Sequence, residues 1–391
     1  MAAILALAGC ADAPQLPQAA QSPAQRTCPA CAECPVCAAP ARPAETKYLR
    51  APFGSIPGWA TAALAPGMRA FASGCDRMAA GPLRLACEAA RALPPDDEAA
   101  VRRFVEASFD AWVVASADGA AEGMVTGYYE PVLPGSRART ERFRTPVYGM
   151  PADLIAVDLD SVNPELKGLR LRGRIEGNRL VPYWTRAEIE ARDGRGAPVI
   201  AWVEDPVELF FMQIQGSGQV ELASGGRLHL AYGDQNGYPY RSIGRFLVDR
   251  GEMTLDQTSM QGIKAWAAAN PRKLREALDA NPSYVFFRET TDTGGPIGTL
   301  GAPLTAGYSI AVDARQIPLG APVFLATTWP LSTQPMERLV AAQDTGGAIR
   351  GAVRADFYWG SGSEAGALAG RMRQRGRMWL LWPRGETPSK P

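Results

Sequence analysis

The spacing of apolar positions changes character several times along this chain. Between Asp97 and Val114, the residues Val101, Phe104, Val105, Phe109 and Trp112 recur at helical intervals and predict one amphipathic helix. From Met124 to Trp202 the texture is short runs rich in Val, Tyr and Phe, broken by Gly and Pro, which predicts strands throughout. The basic stretch from Leu169 to Arg174 is one of them. Helical spacing returns at Tyr240 to Val248 and from Asp256 to Ala269, where Met260, Ile263, Lys264 and Trp266 fall near one face. Pro271 to Ala280 predicts a further short helix. Strand character resumes at Tyr284 to Phe287 and Ser309 to Leu325, punctuated by Gly307, Pro318, Gly320 and Pro322. Ser363 is placed to cap a helix over Glu364 to Gln374, and Arg377 to Trp382 reads as a last strand. No repeat of fixed period is visible. The pattern predicts an α+β, β-rich fold of two domains.

Composition narrows the chemistry more than the fold. A chain of 391 residues can bury a large core, and 40 glycines with 33 prolines favour turns and short strands over long helices. A net charge of +1 without a long basic run argues against a nucleic-acid partner. The chain has one histidine, His229, so acid/base work falls to carboxylates and a histidine-based triad or zinc protease site is excluded. His229 itself reads as a strand residue on a polar face.

The N-terminus stands apart. Met1 to Gly9 is apolar and runs into Leu7-Ala8-Gly9-Cys10, which resembles a bacterial lipoprotein signal, although a positively charged start is missing. That resemblance implies cleavage before Cys10, a lipid on its sulfur, and, with Ala11-Asp12 following, the outer membrane. No later stretch has the apolar length of a membrane-spanning helix. Residues 11–47 read as an Ala/Pro-rich tether. Its Cys28, Cys31, Cys34 and Cys37 have the spacing of a zinc or iron–sulfur site, but they are interleaved with Pro29 and Pro35 and enclose no folded loop. An oxidised tether is the better reading in an exported protein, so no metal is assigned. Cys75 and Cys87 lie in globular sequence and are candidates for a disulfide.

Four segments carry candidate chemistry. Thr126-Gly127-Tyr128-Tyr129-Glu130-Pro131 brings paired tyrosines to an acid at a turn. In Met212 to Gly218, read as a strand, alternation puts Gln213, Gln215 and Ser217 on one face, where amides and a hydroxyl suit sugar hydroxyls. The Gly- and Tyr-rich loop from Tyr232 to Gly244 sets Tyr238, Arg241 and Ser242 before a helix. The densest stretch, Ala342 to Gly360, places Asp344 and Asp356 on either side of a glycine-rich turn and ends in Phe357-Tyr358-Trp359. Paired acids beside aromatic surface suit glycoside cleavage. Asp313, upstream, reads as structural, and Arg137, Arg139, Arg142 and Arg144 read as a solvated turn.

In this order the motifs GYYEP, MQIQGSG, YGDQNGYPYRSIGR, NPSYVFF and DTGGAIRG…DFYWG resemble the membrane-bound lytic transglycosylase A family of murein-degrading enzymes. The resemblance covers about Thr126 to Trp382. It implies a double-psi β-barrel domain with a second, inserted β-domain and a groove between them. The main domain would take residues 48–131 and 232–383, the insert 132–231, and residues 384–391 a tail. It matches the family's catalytic acid to Asp356 and a groove aspartate to Asp344. Thr126, Tyr128, Tyr129, Gln213, Gln215, Ser217, Tyr238, Arg241 and Ser242 become substrate-binding candidates. Glu130 departs from members that carry threonine there and adds a second carboxylate near the cleft, to bind substrate or tune the acid.

The implied reaction is cleavage of the bond between N-acetylmuramic acid and N-acetylglucosamine, with closure of a 1,6-anhydro ring. It needs one acid that serves twice, no metal and no organic cofactor. The expected partner is the glycan strand of peptidoglycan, and a cell-wall synthesis or division complex is open to a protein at that location. Three rivals stand beside it. One is a hydrolase using Asp356 and Asp344 as a pair. Another is an aspartic protease, prompted by Asp-Thr-Gly triplets at Asp292 and Asp344 but without apolar strands before them or a lobe repeat. The last is a lipoprotein that binds peptidoglycan without cleaving it.

Overall fold

The computed structural model describes residues 46–166, 169–291 and 295–388. The lipidation site Cys10, the cysteine run Cys28 to Cys37 and the Asp292 triplet lie outside the described residues. The described chain opens with β1 (Lys47–Ala51), α1 (Ala65–Ser73), α2 (Pro82–Ala90), α3 (Glu98–Ser108) and β2 (Phe109–Ala115). A first β-rich block follows: β3 (Gly123–Glu130), β4 (Val132–Ser136), β5 (Thr145–Tyr148), β6 (Ile155–Val157), β7 (Leu171–Glu176) and β8 (Arg179–Pro182). Next come α4 (Arg186–Glu190), β9 (Val199–Val203), α5 (Pro206–Gln215), β10 (Gly218–Leu222) and β11 (Arg227–Gln235). Then α6 (Ile243–Asp249), α7 (Met260–Ala269) and α8 (Leu274–Asp279) lead into β12 (Val285–Thr290). The chain continues through β13 (Ser309–Val312), β14 (Pro322–Thr328), β15 (Pro335–Asp344), β16 (Arg354–Ser361), α9 (Gly362–Ala369) and β17 (Arg373–Pro383).

Six strands close on themselves in the order β17-β14-β15-β13-β16-β3 and back to β17. Closure depends on the length of β17: Arg373 to Gly376 pair with β3, and Arg377 to Leu380 pair with β14. The ring is antiparallel apart from two parallel pairs, β13 with β15 and β16 with β3. This is the expected double-psi barrel, with β2 and β1 added at its edge. Alternation explains how it is filled. Val323 and Leu325, Val340 and Ala342, and Met378 and Leu380 point into the barrel. Their neighbours Phe324, Leu339, Ala341 and Trp379 point outward and are buried beneath helices α1 to α3. Cys75 and Cys87 are joined by a disulfide in that outer layer.

A second sheet of six strands runs β12-β11-β10-β4-β9-β5, with α5 packed on it through Leu209 and Met212. The chain passes into it directly from the barrel, because β3 ends at Glu130 and β4 starts at Val132. Strands β6, β7 and β8 form a small third sheet.

Several elements differ from the sequence pattern. Helix α3, capped by the Asp97 side chain, stops at Ser108, and Phe109 and Trp112 lie on strand β2 instead of the helix face. Phe109 and Ala111 face the outer core, while Trp112 and Val114 face the barrel. The alternation of this segment is satisfied by pairing with β1 and β17, and that tertiary pairing decides against helix. The block from Met124 to Trp202 is not all strand: Thr185 and Glu188 form a capping box that starts α4. Residues Met212 to Gln215 are the end of helix α5, which Asp205 caps, Pro206 opens, and Gly216 ends in a left-handed conformation at φ 80°. The stretch Ser309 to Leu325 divides into β13 and β14. Helix α9 begins at Gly362 with Ser361, not Ser363, at its cap position, and it ends at Ala369, which frees Arg373 and Gln374 for β17.

Candidate active site

The barrel register sets four residues side by side. Thr126 on β3 pairs with Asp356 on β16, Asp356 pairs with Ala311 on β13, and Ala311 is also in register with Asp344 at the end of β15. The two aspartates thus flank one strand, which puts their Cα atoms roughly 9–10 Å apart at two strand spacings. Ala355 and Phe357 point into the barrel core, so alternation turns Asp356 and Tyr358 outward. The same rule on β3 buries Val125 and presents Thr126 and Tyr128 beside them.

Asp356 is half-buried, and its Oδ1 accepts a hydrogen bond from Thr126 Oγ1 at 2.6 Å. That hydroxyl in turn accepts from Arg354 Nη2 at 2.8 Å. Burial pushes the Asp356 carboxyl above the usual carboxylate range; the Thr126 bond and the Arg354 charge pull it down, and the charge of Asp344 pushes it up again. Asp344 is also raised by burial, but four donors oppose the rise. Its Oδ1 accepts from Thr299 N and Thr299 Oγ1, both at 2.9 Å, and from Thr345 N at 2.8 Å. Its Oδ2 accepts from the Tyr128 hydroxyl at 3.1 Å. The pair is therefore unequal. Asp344 is surrounded by groups that favour its ionised form, while Asp356 has one such bond and feels its neighbour's charge, so Asp356 is the one that holds a proton more readily. Tyr128 is raised far above the ordinary phenol by burial and by both aspartates, which keeps its hydroxyl a donor. Its ring lies against Tyr358 with centroids 5.2 Å apart.

Among the remaining candidates the structure separates site from scaffold. Phe357 and Trp359 belong to the barrel core and do not wall Asp356; Tyr128 and Tyr358 do. Gln213 and Gln215 do not share a strand face, because both lie on α5. Gln213 is buried, with its Nε2 donating to Val285 O, away from the aspartate pair. Gln215 holds the backbone of Tyr129 by accepting from its N–H at 3.2 Å. Tyr129 itself packs on α9 at Gly366 and donates to Met260 Sδ. Ser217 lies in the turn between α5 and β10. Tyr238 stands near Glu188 and Arg174, and Arg241 N donates to Asn281 Oδ1. The Ser242 hydroxyl caps α6 at Arg245 N. No contact of these three reaches Asp356 or Asp344. Glu130 is 2% exposed and cannot meet substrate in this conformation; its Oε2 accepts from Gln219 Nε2 and Ser361 Oγ, both at 2.7 Å. Asp313 is buried as a structural group, accepting from Arg315 and from Gly351 N. His229 is on β11 opposite Gln219, and Arg137 and Arg142 make surface ion pairs with Glu289 and Glu204.

Sequence reasoning missed Arg354, Tyr358 and Thr299. The first two sit two residues either side of Asp356, on the same strand face, and alternation could have found them. Thr299 comes from a distant loop and left no such signal.

The same regions match known proteins. A family model described as the MltA specific insert domain matches residues 124–288, and a 3D domain model matches residues 308–382. The membrane-bound lytic murein transglycosylase A of Escherichia coli strain K12 is 33% identical over 288 residues, covering 72% of this chain and 71% of that protein. The crystal structure of MltA from Neisseria gonorrhoeae in its monoclinic form superposes with a TM-score of 0.80 at 42% identity, covering 90% of this chain and all of that one. The crystal structure of E. coli MltA with bound chitohexaose superposes with a TM-score of 0.63 at 28% identity, covering 88% and 95%.

Proposed function

The chain belongs to the membrane-bound lytic murein transglycosylase A family, and from that premise we propose how its own residues carry out lytic cleavage of peptidoglycan. The substrate is the glycan strand, lying along the outer face of the barrel where Asp356, Thr126 and Tyr128 are partly accessible and Tyr358 is buried beside them. Asp356 is the single catalytic group. Protonated at the start, it donates to the oxygen bridging N-acetylmuramic acid and N-acetylglucosamine. The carboxylate left behind takes the proton from the muramic 6-hydroxyl as that oxygen closes the 1,6-anhydro ring. Proton count is conserved, and no water enters the product.

The observation that carries this reading is the inequality of the two aspartates. A cleft in which burial raises both acids, but four donors oppose the rise at Asp344 and one hydrogen bond and the Arg354 charge oppose it at Asp356, supports one proton-transfer residue and a partner held toward its ionised form. Asp344 has little capacity left to activate a water, which disfavours the two-carboxylate hydrolase. Its role is to hold Tyr128 and the turn at Thr299, and its charge favours the protonated form of Asp356 and any positive charge developing on the sugar ring. The experiment is digestion of purified sacculi in heavy-oxygen water followed by mass spectrometry. Unlabelled anhydro ends are expected; labelled reducing ends would replace this mechanism with hydrolysis.

The relatives' name places them at a membrane, and envelope association follows for this chain; none of the helices among the described residues is long and apolar enough to cross one. We propose the finer statement that lipid on Cys10 supplies the anchor, in the outer membrane. The supporting feature is the Leu7-Ala8-Gly9-Cys10 run with the Pro-rich tether behind it.

A further inference from the structure

Glu130 is a buried carboxylate at the junction where the chain leaves the barrel for the second sheet, and among the described residues no cationic side chain pairs with it. One oxygen takes two hydrogen bonds from opposite sides of that junction. Gln219 Nε2 comes from β10 of the second sheet, and Ser361 Oγ from the end of β16 in the barrel, each at 2.7 Å. Gln219 is itself oriented by Arg227 Nη1, which donates to its Oε1 at 3.3 Å, and by its backbone N–H on Pro131 O at 2.8 Å.

The barrel end of this link has a feature that points the same way. Ser361 occupies the cap position of α9, yet its hydroxyl makes no capping bond there. It is turned to Glu130 instead. Ser361 also stands between Gly360 at φ 106° and Gly362 at φ 87°, a left-handed corner where the register of β16 against β3 shifts. A serine side chain at such a corner is held by what it bonds to, and three residues upstream on the same strand is Tyr358, whose ring lies on Tyr128.

We infer that Glu130 is a positioning residue that interlocks the two sheets and thereby sets the geometry of the cleft that holds Asp356. The inference rests on the reading of that cleft as the glycan site. It assigns Glu130 no contact with substrate and no proton transfer.

The test is steady-state kinetics on soluble murein glycan strands with the full-length protein and the variants Glu130→Gln, Glu130→Ala, Gln219→Ala and Glu130→Ala with Gln219→Ala, each checked by thermal unfolding. Glu130→Gln keeps an oxygen that accepts the same two bonds and should stay within about threefold of wild type. Glu130→Ala and Gln219→Ala should each lower kcat/KM about tenfold with the pH profile unmoved, and the double variant should be no worse than Glu130→Ala. Collapse of Glu130→Gln, a shifted pH profile, or additive losses would overturn the interlock and give Glu130 a direct role or none. Should Glu130→Ala fail to fold, Gln219→Ala and Ser361→Ala decide: losses with the wild-type pH profile support the link, and unchanged rates in both refute it. Anhydro products from wild type on the same strands test the functional reading separately.

Discussion

Replacing Thr126 by Val isolates the support given to Asp356. Valine keeps the shape and β-branching of threonine, so β3 and its register with β16 should be retained while one hydroxyl disappears. That hydroxyl donates to Asp356 at 2.6 Å and accepts from Arg354 at 2.8 Å. A hydrogen bond to a charged acceptor contributes about 1.5–3 kcal/mol, so its loss from the transition state corresponds to roughly 10- to 150-fold in rate. The loss should fall on kcat, because the Thr126 hydroxyl is already engaged by Asp356 and Arg354, which makes it a support for the acid more than the substrate contact the sequence suggested. The sign of the pH effect is fixed as well. Thr126 favours the carboxylate, so removing it raises the Asp356 carboxyl further and moves the alkaline limb of kcat/KM to higher pH. Initial rates on soluble murein strands across the pH range would show both effects, with Thr126→Ser restoring them. A rise in KM with kcat and the alkaline limb unchanged would refute the reasoning and place Thr126 on the sugar.

Two further perturbations probe stability. Asp356 has its folded pKa raised above the unfolded value, so its contribution to stability is full below the unfolded pKa and is lost as pH rises through the folded one. Thermal denaturation of Asp356→Asn should therefore show an advantage over wild type that grows as pH rises through that window; a shrinking advantage contradicts the burial argument. Gly127→Ala would put a Cβ 2.6 Å from Trp359 Nε1 and 2.9 Å from the Ala369 Cα of α9, and urea unfolding should report a loss of about 1–3 kcal/mol. An unchanged midpoint would mean that α9 is not seated on β3 as described.

Much of the fold was legible because it rests on local patterns. Both faces of Val323 to Leu325 in β14 and of Met378 to Leu381 in β17 are buried, so these segments read as apolar runs whatever they pair with. The errors came where one pattern fits two periods. Phe109 and Trp112 continue the spacing of α3 and also alternate, and only pairing with β1 and β17 chooses between the two. Gln213, Gln215 and Ser217 alternate in sequence, but Asp205 and Pro206 start a helix upstream that carries through the glutamines. For the site, Asp344 and Asp356 were visible as residues, and their division of labour came only from the family resemblance, not from spacing. It depends on Thr299, brought in from a loop, and on Ala311, which sets the two acids one strand apart from each other on either side. Such contacts across the barrel have no sequence spacing to read.

The central claim is that Asp356 alone transfers the proton in both halves of the reaction. Its most direct test is product analysis of intact sacculi incubated with wild type and with Asp356→Asn, alongside a sedimentation measurement of sacculus binding. The account predicts anhydro-muropeptides from wild type, and from Asp356→Asn full binding with no soluble product. Anhydro products released by Asp356→Asn at a comparable rate would contradict it.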